Sequence, residues 1–340
     1  MLTRRVPIAA LLAFGVAFPL VFTNPAVTTD AIYTLIFVAW AAAWNTFSGY
    51  SGYISLGHAV FFGSGAYFTG IATRDWGLTG SEVFWLLPLA GLLGGVIAIP
   101  FGIFALRVRR HTFVVITIAV FFIFQLTAYN LAITGGTSGL LAPTINFVTA
   151  TYNNPFYYVA FCIAVGTVVI SWLIRRSRFG LQLRAIRDDE DRARGLGVRA
   201  MRVKLGAFVF SAVPVAMVGG LWWYFTTLVD PSSGFDPLFD VAVALMAFLG
   251  GLGTVSGPVL GALVIEPAYL YFQQHVASTY LFWMLYGALF LVVILALPRG
   301  IIPTAAEHIG NWRDRRRSDD AGTAHQPVES SAGDTAKESA

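Results

Sequence analysis

Long apolar runs alternate with short polar connections along almost the whole chain. The runs occupy roughly 6–22, 31–47, 54–72, 83–106, 112–133, 156–174, 205–225, 236–249, 257–272 and 280–296. Most are about 17–22 residues long, the length of a helix that crosses a hydrocarbon layer of about 30 Å. Such helices bond their own backbone, as lipid demands. The pattern predicts an all-α fold, a polytopic helical integral membrane protein. Runs 236–249 and 257–272 are short and read either as two spans or as one re-entrant hairpin. The total is then eight to ten transmembrane helices. Composition agrees, with 56% hydrophobic, 15% aromatic and only 12% charged residues, about half the charge of an average soluble protein.

Charge orients the spans. With the N-terminus in the cytoplasm, 21 of the 22 Lys and Arg residues fall inside and only Arg74 falls outside. The inside set includes Arg4, Arg5, Arg107, Arg109, Arg110, Arg299, the 313–317 cluster and Lys337. Both termini are therefore expected in the cytoplasm, in either span count. This distribution also explains the net charge of +4 without nucleic acid. The run 6–22 is expected to be an uncleaved first span. Residues 1–304 are expected to form the membrane domain. Residues 305–340, polar for most of their length, are expected to be a largely disordered cytoplasmic tail.

One connection stands apart. The stretch 175–204 carries ten of the 22 basic residues between two apolar runs. Within it, 183–196 has helical periodicity, with Leu183, Ile186 and Ala193 toward one side. Asp188–Asp191 are flanked by Arg184, Arg187, Arg192 and Arg194. Apolar residues within so polar a loop predict a short helix along the membrane face that docks a soluble partner.

The chain lacks the means to drive chemistry alone. A phosphate-binding loop needs Gly-Lys followed by Ser or Thr. The two lysines, Lys204 and Lys337, follow other residues, so any ATP must be hydrolysed by a partner. Glu266 is the only acid well inside a run; Asp30, Asp236 and Asp240 lie near run ends. One such Glu is a thin basis for a proton relay, and reads better as structural or as facing a wet cavity. No pair among His58, His111, His275, His308 and His325 has metal-ligand spacing, so no metal site is expected. Ser55 and His58 lack an oxyanion-hole signature, so no catalytic residue is expected. The single cysteine, Cys162, reads as a small packing residue.

Glycine and serine mark two further segments. Gly91 with Gly95, Gly253 with Gly257 and Gly257 with Gly261 are small pairs that let helices approach closely. Gly49, Gly52 and Gly57, interleaved with Ser48, Ser51 and Ser55, would instead loosen a helix at the membrane edge and line a path. The stretches 44–66 and 249–262 resemble each other and sit at predicted cytoplasmic turns, as two halves of a duplication would.

With WNTFSGYSGYISLGHAVFFGSGAY, RFGLQLRAIRDDEDRARGLGVRAMRVKLGAF and LGGLGTVSGPVLGAL in hand, the chain resembles the branched-chain amino-acid ABC importer permease family, in particular its M-type subunit. The family also takes in urea and short-amide importers and is similar in plan to sugar permeases. The resemblance implies a subunit that is not itself an enzyme and binds no cofactor. It implies a second permease subunit, two cytoplasmic ATP-binding subunits and an external substrate-binding protein, all at a prokaryotic cell membrane. It implies that Arg184, Ala185, Ile186, Arg187, Glu190, Ala193, Leu196 and Gly197 form the helix that meets the ATPase. The pattern Glu190-x-x-Ala193-x-x-Leu196-Gly197 matches, whereas Asp191 and Arg192 stand where the family often has apolar residues or Ala. The substrate path is expected along Trp44, Asn45, Ser48, Gly49, Gly52, Ser55, Gly57, His58 and Glu266.

Overall fold

The computed structural model describes residues 5–142 and 152–275, and single positions among 281–304. The tail 305–340, most of run 280–296, part of the 134–155 connection, Arg4, Arg299, the 313–317 cluster, Lys337, His308 and His325 lie outside the described residues.

The described chain is mostly helical. In order it forms α1 (Arg5–Val21), α2 (Pro25–Trp44), α3 (Ala59–Trp76), α4 (Leu86–Ala105), α5 (Arg110–Asn130), α6 (Asn153–Arg176), α7 (Arg178–Asp188), α8 (Glu190–Gly195), α9 (Ala200–Thr226), α10 (Pro231–Gly234), α11 (Pro237–Gly250) and α12 (Ser256–His275). Among the described residues, six helical stretches are long and apolar enough to cross a membrane: Pro25–Gly49, Gly80–Ala105, Arg110–Asn130, Asn153–Arg176, Ala200–Thr226 and Pro231–Gly250. The polytopic all-α reading is therefore the observed one.

The two central helices are recognisable by their burial. α9 packs between α3 and α4, and α2 packs against α6, α9 and α12. Both carry small residues where neighbours come close; a Cβ on Gly219 of α9 would lie 2.0 Å from the Phe62 carbonyl oxygen. α5 is peripheral and presents Val115, Ile123 and Leu126 outward, as a lipid-facing helix does. Cys162 also faces outward from α6. It does not pack in the core, because the buried side of α6 runs along Phe156, Ala160, Ile163 and Thr167.

Arg107, Arg109, Arg110 and the 175–204 loop gather at one end of the bundle, here called the basic end. Arg74 lies at the other, paired with Asp75 at 2.8 Å. At that opposite end Leu140–Leu141 and Leu228–Val229 form a two-residue antiparallel pairing.

α11 and α12 form a tight hairpin whose turn lies at the basic end. A Cβ on Gly261 would sit 1.7 Å from the Met246 carbonyl oxygen. Gly257 and Gly261 thus act as expected, but Gly253 does not belong to a helical pair. It lies in the turn between the helices with φ +81°, a conformation that favours glycine. Gly261→Val is expected to destabilise the hairpin by about 1–3 kcal/mol or more, the scale of an overpacked core. The thermal midpoint of the detergent-purified subunit checks this, and an unchanged midpoint refutes the close approach.

A broken helix latched to the basic loop as candidate functional site

α2 does not end cleanly. Beyond Trp44 it widens into a π-helical turn, Asn45–Gly49, and 52–57 are irregular before α3 starts at Ala59. Widened turns of this kind concentrate at functional positions. Breaking a helix inside a bundle frees backbone groups that must find partners. The serines supply them. Ser48 Oγ accepts from the Ser55 N–H at 3.3 Å, Ser51 Oγ from the Tyr53 N–H at 3.2 Å and Ser55 Oγ from the Gly57 N–H at 3.4 Å. Thr117 of α5 accepts from the Leu56 N–H at 3.2 Å, and the Trp44 indole donates to the Ser55 carbonyl at 2.8 Å.

His58 closes this segment. It is fully buried, with Nδ1 2.9 Å from Ser55 Oγ and Nε2 2.9 Å from Ser211 Oγ on α9. Phe47, Phe61 and Phe208 surround the ring. In this state His58 is a cross-brace between the irregular segment and α9.

Asn45 joins the two glycine-rich segments. Its Nδ2 donates to the Thr254 carbonyl at 2.8 Å and its Oδ1 accepts from the Gly253 N–H at 2.8 Å. The resemblance between 44–66 and 249–262 thus has a physical counterpart: the turn of the α11–α12 hairpin is pinned to the π-helical end of α2.

The basic loop grips the same place. α7 buries Leu183 and Ile186, and α8 buries Ala193, the side expected from the sequence. The expected continuous helix 183–196 is nevertheless two helices. Asp189 adopts an extended conformation (φ −155°, ψ 109°) and its carboxylate caps α8, accepting from Asp191 and Arg192 N–H at 3.0 and 3.1 Å. Arg187 Nη1 reaches inward to the Gly49 carbonyl at 2.7 Å and lies against Gly253. Arg110 holds the end of α7, donating to the Ile186 and Arg187 carbonyls at 2.9 and 2.5 Å.

Glu190 makes the second tie. One carboxylate oxygen accepts from the Tyr53 hydroxyl at 2.5 Å, and the other from Lys204 Nζ at 2.9 Å and Arg194 at 2.5 Å. Lys204, only 1% exposed, also donates to Tyr53 Oη at 3.1 Å. Burial pushes the Glu190 carboxyl up. The hydrogen bonds from Tyr53 and Lys204 and the charges of Lys204 and Arg194 outweigh burial, and the net shift is downward. A lowered carboxyl stabilises the fold fully above its unfolded pKa, and that contribution is lost as pH falls through the folded value. The contribution of Glu190 to the latch is therefore present at neutral pH and is lost in acid.

Trp44, Asn45, Ser48, Gly49, Gly52, Ser55, Gly57 and His58 thus form one contiguous unit. Glu266 does not join it. It is buried on α12 beside Asp30, Tyr33 and Tyr269. Of the loop residues, Ile186, Arg187, Glu190 and Ala193 turn inward and Ala185 is half-buried. Arg184 and Leu196 face outward, with Leu196 85% exposed, and Gly197 (φ +87°) ends the α8 turn. Among the described residues, no three His, Cys, Asp or Glu side chains come together as a metal site needs.

The sequence reading misplaced Asp240. It lies near the end of an apolar run yet is fully buried. The chain before α11 folds into the bundle: Gly63 of α3 packs on Phe235, and Gln125 of α5 donates to the Phe235 carbonyl at 2.7 Å. α11 therefore begins within the bundle. Asp240 Oδ2 accepts from the Ala59 N–H at 3.0 Å, at the start of α3. Tyr53, Arg110 and Lys204 were also overlooked, since each acts only through contacts distant in sequence.

The model of the family described as branched-chain amino acid transport system, permease component, matches residues 27–294. The chain belongs to this family. It is a permease subunit of an ABC importer and a multi-pass membrane protein. The chain is 28% identical over 328 residues to the high-affinity branched-chain amino acid transport system permease protein LivM of Salmonella typhimurium, covering 88% of this chain and 75% of the relative. It is 25% identical over 295 residues to the corresponding LivH protein of Escherichia coli, covering 81% and 92%. A probable LivM permease protein of the archaeon Methanocaldococcus jannaschii is 27% identical over 232 residues, covering 63% of this chain and 66% of that protein. Relatives of both the LivM and the LivH kind support a second permease subunit beside this one. No solved structure matches the chain.

Proposed function

We propose that this permease subunit forms half of the membrane path for branched-chain, apolar amino acids, driven by two ATP-binding subunits at its basic end. The basic end is cytoplasmic on this reading, because basic residues are retained on that side. A second, paralogous permease completes the path, and an external binding protein delivers substrate at the end that holds Arg74. The chain itself binds no nucleotide or other cofactor.

One observation carries this reading. The loop that the ATPases would push is bonded to the place where α2 breaks, through Arg187 to Gly49 and Glu190 to Tyr53. A displacement of α7 and α8 must therefore either break those bonds or move the broken segment and, through Asn45, the α11–α12 turn. Binding energy at the loop has a short mechanical route to the centre of the bundle. The branched-chain preference follows the names of the relatives and suits a bundle lined by aromatic rings.

Leu181, Arg184, Arg192 and Leu196 point away from the bundle and form the docking face, while Arg187 and Glu190 serve transmission. Leu196→Asp is expected to reduce co-purification of the ATPase subunits by about tenfold or more, the scale of one buried interface anchor. The permease's own thermal midpoint should not change. A pull-down from gently solubilised membranes measures this. Undiminished ATPase recovery would remove Leu196 from the docking face, and recovery of no ATPase with the wild-type chain would overturn the ATP-driven assignment.

A further inference from the structure

Asp240 lies ten residues before Gly250, so about 15 Å from the basic end along α11. That is near the middle of a hydrocarbon layer of about 30 Å. There it meets the N-terminus of α3, where the Ala59 amide donates to its Oδ2 at 3.0 Å. Its Oδ1 is buried with no hydrogen-bond partner among the described residues, and none of their ion pairs includes it. A second orphan lies one ring contact away, on Trp40, which touches Phe239 beside Asp240 in the chain. The indole N–H of Trp40, on a fully buried side chain, also has no acceptor among the described residues.

Aromatic rings fill the surroundings. Trp40 stacks on Phe62 at 4.5 Å and on Phe37 at 5.9 Å. Phe239, next to Asp240 in the chain, stands edge-on to Trp40 at 5.9 Å and to Phe62 at 5.7 Å. Linked through Phe239 and Phe62, these elements offer a negatively charged acceptor, an indole donor, a helix N-terminus and a wall of rings. Those are complements to an ammonium, a carboxylate and an apolar side chain.

A purely structural cap does not account for Asp240. Capping an N-terminus needs one acceptor oxygen, which Asn supplies as well as Asp. A carboxylate with one oxygen unpartnered at membrane depth carries a desolvation penalty that a neutral cap avoids. We propose that Asp240 contacts the α-ammonium of the amino acid in transit, while Phe37, Trp40, Phe62 and Phe239 receive its apolar side chain and the Trp40 N–H meets its carboxylate. In the state described here the rings and the carboxylate close against α3. Parting α11 from α3 opens the locus to substrate. This inference rests on the amino-acid reading above, and it would place recognition within the membrane in addition to any exercised by the binding protein.

The test is uptake of radiolabelled leucine by the complete transporter in proteoliposomes with ATP inside and its binding protein outside. Asp240→Asn keeps the acceptor for the Ala59 N–H and removes the charge. Uptake is expected to fall by about ten- to a hundredfold, the scale of one charge-assisted hydrogen bond. The thermal midpoint should hold or rise, because the neutral cap avoids the desolvation penalty, and ATPase recovery should remain that of the wild type. Wild-type uptake by Asp240→Asn overturns the role of Asp240 alone. If that variant does not assemble, Trp40→Phe decides in its place, because it keeps an aromatic ring and loses the N–H. Reduced uptake with normal assembly supports the proposal, and wild-type uptake overturns it. Absence of leucine uptake by the wild-type transporter is a separate result that overturns the amino-acid reading and the ligand class with it.

Discussion

Asn45→Asp is expected to loosen the turn at 251–255 from the end of α2 and to slow transport at least tenfold. Asn45 is fully buried and uses both halves of its amide, donating to Thr254 and accepting from Gly253, each at 2.8 Å. An ionised Asp of the same shape has no donor. It would set a negative charge against the Thr254 carbonyl with little water to screen it. Each buried polar group left unsatisfied costs about 1–3 kcal/mol, and the charge adds to that. The Gly253 amide retains its acceptor, so the damage falls on one bond rather than on the whole segment. Hydrogen exchange reads this directly: amides at 251–255 should lose protection while those of α9 keep it. Unchanged protection at the turn would mean that Asn45 does not pin it. Asn45→Ala removes both bonds without adding a charge, so a smaller loss of uptake than in Asn45→Asp would show that the repulsive contact matters beyond the lost bonds.

The sequence carried much of the fold and part of this site. Apolar runs of membrane length located the helices, because lipid leaves a spanning chain few alternatives. The Gly/Ser spacing at 48–57 foretold a break, because glycines weaken a helix and serine hydroxyls can satisfy the freed amides. The inward side of the basic loop was legible from Leu183, Ile186 and Ala193. What it hid was pairing at long range. Nothing near Asn45 announces Gly253, 208 residues away, and nothing near Tyr53 announces Glu190, 137 residues away. Asp240 was misread for another reason. Its depth is set by a polar connection that folds into the bundle, and hydropathy windows place such connections at the surface. The expected single helix over 183–196 failed at one residue, because the Asp189 side chain competes for the amides of α8.

Glu190→Ala is expected to destabilise the subunit by about 3–5 kcal/mol, the scale of a buried ion pair that loses one partner. The size follows from what is left behind. Lys204 is 1% exposed and the Glu190 side chain 15%, so the ammonium would keep only the Tyr53 hydroxyl and its ring face, 4.2 Å away. Lys204→Met should cost less, because Glu190 retains Arg194 and Tyr53. The double variant should recover much of the loss, since removing both charges removes the uncompensated one. Thermal unfolding of the four proteins in one detergent gives the coupling directly. Strictly additive effects would refute the latch. A restored double variant also separates fold from function. It would be stable, yet with α8 no longer held to Lys204 through Glu190, and only Arg187 would still couple the basic loop to the broken helix. If transport returns in full, Arg187 suffices for transmission. If stability returns and transport does not, Glu190 is itself part of the route by which ATP hydrolysis reaches the membrane path.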